Sequence, residues 1–370
     1  MNKRWKYRIA AITLAASMLL TGCGKKEEDT TATTETQAQT VSLKTSEPSM
    51  IQNAISVSLS KDGQIKNPLT GLWIDERYAN KRPISIQIEN TYAAQPQYGT
   101  SHADIIYEMY VEGGITRMMC IITEFEDIER LEPIRSNRHY YDRKAVEYDA
   151  VHVFWGASDY ANHNDLYGPH YPNLEFIDLI REPGGFRDDT RYMPHNAYTT
   201  GEALLKRIND KNFSRTYHDW YTKAYSFNDE FTALQGSNAE KIKINFRNNS
   251  PWFEYNKEDQ MYYRFQFEGS EWDGKQIDAE TGEQLAFTNV LIQINPYSNL
   301  AGYEAAGSQD LDWSGSGDGF YCTGGKVIPV TWKKKKSTTK WYTTDGSEIK
   351  LNPGKTWISV YGSKDGVTFE

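Results

Sequence analysis

The stretch 104–124, DIIYEMYVEGGITRMMCIITE, carries two acids and a guanidinium at spacings that suit a shared site. Gly113-Gly114 between two apolar runs signals a two-residue hairpin turn. With Glu112 opposite Ile115, Glu108 faces Met119 and Tyr110 faces Arg117. Glu108, Tyr110, Glu112 and Arg117 then share one face, with Arg117 diagonal to both glutamates. The other face gathers Ile105, Tyr107, Met109, Val111, Met118, Cys120 and Ile122 and is the expected core side. Such a triad is either an ion-pair cluster of small net effect or a polar platform for a ligand. In the second case one glutamate can serve as general acid or base. A helix through 104–112 would also align Glu108 with Glu112, but the paired glycines favour the hairpin.

Two further groups of residues suit the same chemistry. In Pro133-Ile134-Arg135-Ser136-Asn137-Arg138, Ser136 is a good N-cap, and 137–148 has helix-forming composition with Tyr141, Ala145 and Tyr148 on one side. Arg135 and Arg138 would flank the first turn, where free N–H groups already favour a carboxylate or phosphate. The alternative is that both arginines pair with carboxylates of their own domain. His195, beside Asn196 ahead of a helix, is the best candidate for proton transfer because imidazole titrates near neutrality. It serves equally well as a structural histidine. All seven histidines lie between His102 and His218, none in a metal-ligand spacing, and no pattern implies a cofactor.

These residues need a scaffold. Residues 83–89 alternate, with Ile84, Ile86 and Ile88 on one side and Ser85 and Gln87 on the other, which predicts a strand. Residues 150–155 predict a short buried strand that leads to Ser158 and Asp159. Those two then sit at a strand's C-terminal end, where α/β sheets collect ligands. Residues 160–195 predict long surface loops. Thr199 and Glu202 form a capping box, ahead of a helix with Leu204, Leu205 and Ile208 inward. Beyond about residue 236 the stretches 241–246, 261–267, 289–295, 326–332 and 356–361 read as strands separated by turns. The expected fold is mixed α+β: an N-terminal α/β domain (67–236) with a mixed sheet, and a C-terminal all-β domain (237–370).

The N-terminus sets the address. Lys3, Arg4, Lys6 and Arg8 precede an apolar run to Leu20, too short for an ordinary membrane span and proportioned as a secretion signal. Leu20-Thr21-Gly22-Cys23 matches the lipobox of bacterial lipoproteins, so cleavage after residue 22 would leave Cys23 as the lipidated end. The protein would then sit on the extracytoplasmic face of the cell membrane. Residues 23–66 are rich in Thr, Gln, Ser, Lys and Glu and read as a tether, with a span of roughly 35 Å. Removing residues 1–22 takes away four basic and no acidic side chains, so the formal charge moves from −9 to −13. So acidic a body argues against a nucleic-acid partner. Cys120 and Cys322 could pair outside the cytoplasm, yet Cys120 on a core face favours two inert thiols.

Taken together, the chain resembles the YerB-like bacterial lipoproteins. The likeness lies in Asn67-Pro68-Leu69-Thr70-Gly71, Arg82-Pro83, Ser101-x-Ala103-Asp104-Ile105 and Tyr107-Glu108. It continues in Glu112-Gly113-Gly114-Ile115-Thr116-Arg117, Pro133-Ile134-Arg135-Ser136-x-Arg138 and Pro194-His195-Asn196-x-Tyr198, and closes in Asn352-Pro353-Gly354-Lys355-Thr356-Trp357-Ile358. Two departures are Glu132, in place of a usual Gly, and Trp155-Gly156-Ala157, in place of a more Gly-rich loop. The resemblance implies two domains and a membrane tether, and carries no activity. Three function classes follow. The first is an envelope binding or scaffolding lipoprotein with an anion-accepting groove of Glu108, Glu112, Arg117, Arg135, Arg138, Asp159, His195 and Asn196. The second is an envelope hydrolase of glycosidic or phosphodiester bonds, using Glu108 or Glu112 with His195. The third is an adaptor that binds another envelope protein through its β domain.

Overall fold

The computed structural model of the chain describes residues 61–270 and 273–370. The signal, Cys23 and most of the tether lie outside the described residues. Strand is the dominant element, with short helices between strands.

The sequence alternation at 83–89 becomes the strand Ile84–Asn90, and its expected wet side is buried as well. Both sides are covered because this strand lies inside an eleven-stranded mixed sheet. One neighbour is the antiparallel hairpin strand Thr116–Ile122, and the other is the parallel strand Val151–Phe154. Parallel neighbours that need crossover connections bring helices over the sheet, so polar residues on its faces must find partners inside. Beyond the hairpin the sheet continues into the C-terminal half. Ile105–Tyr110 pairs in parallel with Thr356–Tyr361, followed by Asn289–Ile294, Ser316–Thr323 and Lys326–Lys335. All five C-terminal stretches expected to be strands are strands. Residues on either side of position 237 thus share one sheet.

One face of this sheet packs on a smaller antiparallel sheet, in which Lys241–Ile244, Trp252–Asn256 and Met261–Phe265 are central, and on the helix Gly201–Asp210. Ile106, Met118, Cys120, Phe253 and Trp357 fill that layer. The opposite face packs on the helix His139–Glu147 through Tyr140, Tyr141, Ala145 and Tyr148, against Tyr107, Met119, Ile121 and Ile358. Burial of each such large side chain stabilises by about 1.5–3 kcal/mol. Cys120 and Cys322 are both buried and free, and burial pushes both thiols up, which keeps them unreactive.

The hairpin differs from expectation. Its loop has three residues, Glu112–Gly114, with Gly113 and Gly114 both at positive φ, and the Val111 N–H donates to the Ile115 carbonyl. That single extra residue shifts the register by one. Glu108 stands opposite Met118, and Arg117 opposite Met109. A shift of one exchanges faces. Glu108 therefore points into the layer shared with the small sheet, and Arg117 points to the side of the helix His139–Glu147. Both caps are also displaced. Asn137 stays extended, its N–H bound to Gly156, so the first helix starts at His139 with Arg138 as N-cap, and the Ser136 hydroxyl donates to the Trp155 carbonyl. Thr200 rather than Thr199 caps the second helix by accepting from the Ala203 N–H, while the Thr199 hydroxyl donates to Gly184. The stretch 160–195 is mostly loop, interrupted by the π-helical turn Ala161–Leu166 and the short strands Phe176–Asp178 and Phe186–Arg187.

Candidate functional site

Cross-strand pairing sets the site's first contact. In the central strand Glu89 stands directly opposite Arg117, and both residues are nearly fully buried. Over them runs the segment Ile134–Arg138, stitched to the sheet by the Arg135 N–H on the Gln87 carbonyl (3.0 Å) and the Trp155 N–H on the Arg135 carbonyl (3.1 Å). Asn137 holds this segment from below. Its Oδ1 meets His152 Nε2 at 2.9 Å and its Nδ2 donates to Asp142 Oδ1 at 2.6 Å, while His152 Nδ1 meets the Ser85 hydroxyl at 2.8 Å. A hydroxyl, an imidazole and an acid in series suggest nucleophile chemistry. Here all of them are wholly buried, and burial brings the imidazole down to about 3. The relay anchors the segment and leaves no approach for a substrate.

Three guanidiniums converge where the segment crosses the hairpin. Arg138 forks onto Glu112 with Nε and one terminal nitrogen at 2.7 and 2.6 Å. Burial would raise the Glu112 carboxyl, but Arg138 outweighs it and holds the acid below its ordinary value. Arg117 donates to the Ser136 carbonyl and to no carboxylate among the described residues. Burial, and then the neighbouring charges of Arg138 and Arg135, bring Arg117 down to about 10. Arg135 reaches the Pro194 carbonyl at 3.1 Å and lies 3.5 Å from Glu89. Glu89 also meets His195 Nδ1 at 2.8 Å and the Thr91 hydroxyl at 3.1 Å.

Three arginines therefore face two carboxylates, Glu89 and Glu112. Among the described residues, Nε of Arg117, Nε of Arg135 (the atom 3.5 Å from Glu89), both polar atoms of the Gln87 amide and the indole N–H of Trp155 are buried without hydrogen-bond partners. Buried polar groups are normally satisfied, so the four donors among these atoms, the Nε of Arg117 and of Arg135, the Gln87 Nε2 and the Trp155 indole, ask for an explanation. An anion with several acceptor oxygens supplies one for the donors, though not for the Gln87 Oε1, which is itself an acceptor. Guanidiniums bind carboxylates and phosphates through paired, charge-assisted bonds.

The residues singled out from sequence divide as follows. Glu112, Arg117, Arg135, Arg138 and His195 come together. Glu108 does not: it lies on the opposite face, fully buried, bound to Arg264 at 2.8 Å and to Asn90 and Thr116 at 2.9 Å each. Glu108 and Glu112 therefore cannot act as an acid–base pair across one substrate. Asn196 points into the adjoining loop, where it accepts from Arg187 at 2.8 Å and donates to the Asp188 carbonyl at 3.0 Å. Asp159 is exposed, and its carbonyl takes the His163 ring nitrogen. Glu89, Gln87 and Trp155 were missed. The alternation that puts Gln87 on the polar side of its strand reaches Glu89 two residues later, so the signal was present.

Among the described residues no helix is long and apolar enough to cross a membrane. Residues 69–214 match the N-terminal domain, and 242–358 the C-terminal domain, of the family described as protein of unknown function DUF3048. The chain is 27% identical over 322 residues to YerB of Bacillus subtilis (strain 168), whose name gives it as a lipoprotein. That alignment covers 82% of this chain and 88% of the relative. A crystal structure of YerB protein from Bacillus subtilis matches with a TM-score of 0.72 at 26% identity, covering 82% of this chain and 99% of that one.

Proposed function

Because the chain belongs to this family of YerB-like lipoproteins, we propose that it is a lipid-anchored binding protein of the cell envelope that captures an anionic ligand on the Arg117–Arg135–Arg138 cluster. The tether holds the folded body outside the membrane through Cys23, and the ligand presents a phosphate or carboxylate. One observation carries the reading: among the described residues Arg117 is a buried guanidinium with no carboxylate of its own, next to two others, with an unused N–H. A purely structural cluster would be neutralised, because an uncompensated buried charge costs several kcal/mol. Glu89, itself held by His195, sets the position of Arg135, Glu112 that of Arg138 and the Ser136 carbonyl that of Arg117, so the three forks are fixed before a ligand arrives.

Calorimetry on the full chain with inorganic phosphate, a sugar phosphate and a wall peptide tests this. Arg135→Ala is expected to weaken the anion that binds by about tenfold or more, and salt to weaken it further. Arg135 and Arg138 variants that bind all three probes as well as the parent does would remove the proposal.

A further inference from the structure

Away from the arginines, three of the sequence motifs meet around two adjoining cavities. The Gly354 N–H donates to the Thr70 carbonyl at 2.8 Å and the Thr356 N–H to the Asp104 carbonyl at 3.0 Å. Asn67 Nδ2 donates to Asp104 Oδ1 at 2.8 Å, and Lys355 Nζ donates to the Ser101 carbonyl. Gly354 sits at φ +144°, where a Cβ would lie 1.9 Å from the Thr288 hydroxyl oxygen, so this junction accepts only glycine. The motifs Asn67–Gly71, Ser101–Asp104 and Asn352–Thr356 are thus tied to one another, not to the arginine cluster.

The larger cavity measures about 320 Å³ and has an apolar floor of Met261, Leu285 and Phe287. The smaller, about 220 Å³, is lined by His102, Asp104 and Glu124. Leu72, Ser101, Glu283 and Lys355 line both, so the two spaces adjoin. The wall is incomplete in its bonding. Thr100 is about 1% exposed and lines the larger cavity, yet its hydroxyl has no partner among the described residues; His102, which lines the smaller, has its Nε2 3.6 Å from Glu280. Among the described residues neither Glu124 nor Glu283 has a cationic partner, and Lys355 bonds a carbonyl instead of a carboxylate. Burial and nearby Asp104 push the Glu124 carboxyl up, as expected of an acid short of positive charge.

We propose that these cavities form a second binding site, for the free amino end of a short peptide. The ammonium sits between Glu124 and Glu283, the Lys355 ammonium takes the peptide's carboxylate, and an apolar side chain rests on Leu285 and Phe287. A simple anion does not fit, since four carboxylates, Asp104, Glu124, Asp259 and Glu283, line the space. A simple cation leaves Lys355 and the apolar floor unused. The site is independent of the arginine cluster and stands whether or not that cluster binds an anion.

The test is calorimetry on the full chain with leucyl-glycine, its N-acetyl derivative and its C-terminal amide. Leucyl-glycine binds, N-acetylation costs at least about tenfold, and Glu283→Gln weakens leucyl-glycine by a similar factor without changing phosphate binding. Lys355→Met brings leucyl-glycine down to the level of its amide. Glu283 is exposed and makes no side-chain bond within the described fold, so its variant keeps the protein folded and reports on binding alone. Equal binding of the N-acetyl peptide, an unaffected Glu283→Gln variant, or no heat at about 10 mM leucyl-glycine would each overturn the proposal.

Discussion

The pair Glu108–Arg264 offers the sharpest test of how the two halves of the chain are joined. Both side chains are wholly buried and 2.8 Å apart. The second Glu108 oxygen accepts from Asn90 and Thr116, and the Arg264 guanidinium lies 4.2 Å from the Trp357 ring and bonds the Phe265 carbonyl. In Arg264→Met the aliphatic stem is kept and the cation is lost, which leaves a carboxylate in an apolar layer. Removal of one partner of such a pair costs about 3–5 kcal/mol, whereas replacing both with apolar residues is often neutral. Arg264→Met is therefore expected to lower unfolding free energy by about that amount in urea, and Glu108→Leu with Arg264→Met to restore most of it. The charge assignment can be checked by pH. Burial already raises the Glu108 carboxyl despite Arg264, and without Arg264 it rises further. A carboxyl with a folded value above its unfolded one binds its proton more tightly when folded. The deficit of Arg264→Met is then small below the ordinary carboxylate value and grows as pH rises through the window, by at most about 1.4 kcal/mol per pH unit. A deficit that is the same at pH 4 and pH 8 would refute the argument, because lost packing alone has no such slope.

Three other outcomes follow from the same accounting of charge. Arg117→Met removes a buried cation that has no carboxylate among the described residues, so stability in urea is expected to rise by about 1 kcal/mol or more while anion binding is lost. Burial raises the Glu147 carboxyl, but the ammoniums of Lys144 and Lys334 outweigh this and hold it at about 2. Its contribution is present above the ordinary 4.5 and is lost as pH falls toward 2, about 3 kcal/mol in all, so Glu147→Gln should flatten the acid limb of a urea-midpoint-against-pH curve. Lys144, brought down to about 8 by burial, carries a cost while charged that is relieved as pH rises from about 8 toward the ordinary 10.5, so the two windows do not overlap. Finally, residues 237–370 expressed alone should give poorly dispersed amide spectra. Thr356–Tyr361 would lose its neighbour Ile105–Tyr110, and the Arg264 guanidinium would lose its carboxylate.

Strands and their order along the chain were legible, because alternation and turn residues are local. The expected strand stretches around 83–89 and 150–155, and the C-terminal strands, all appear. What was not legible depended on partners far away in sequence. Nothing near Glu108 announces Arg264, and without that partner an acid in a strand reads as facing water. The turn length had the same effect. Gly113-Gly114 fits both a two-residue and a three-residue loop, and the choice between them decides which face every hairpin residue occupies. The caps moved by one and two residues because Asn137 and Thr199 were already committed to long-range backbone bonds, with Gly156 and Leu131.

The shifted register also sharpens the functional reading. The same two hairpin strands carry one buried acid on one face and one buried base on the other, and the fold treats them differently. Glu108 receives bonds from three residues, one of them a cation, so this carboxylate is satisfied without any ligand. Arg117 receives one carbonyl, stands beside two more guanidiniums, and keeps an idle N–H. If burial of charge in this sheet served only to fix the topology, the two faces would be expected to be equally well satisfied, since an unpaired group costs the same on either side. Polar atoms without partners occur on both faces among the described residues, Arg264 Nε included; what sets apart the face over which Ile134–Arg138 crosses is that a counter-charge is missing there as well, and it is negative. A protein that completes one such centre from its own chain and leaves the neighbouring one open has kept a place for something else.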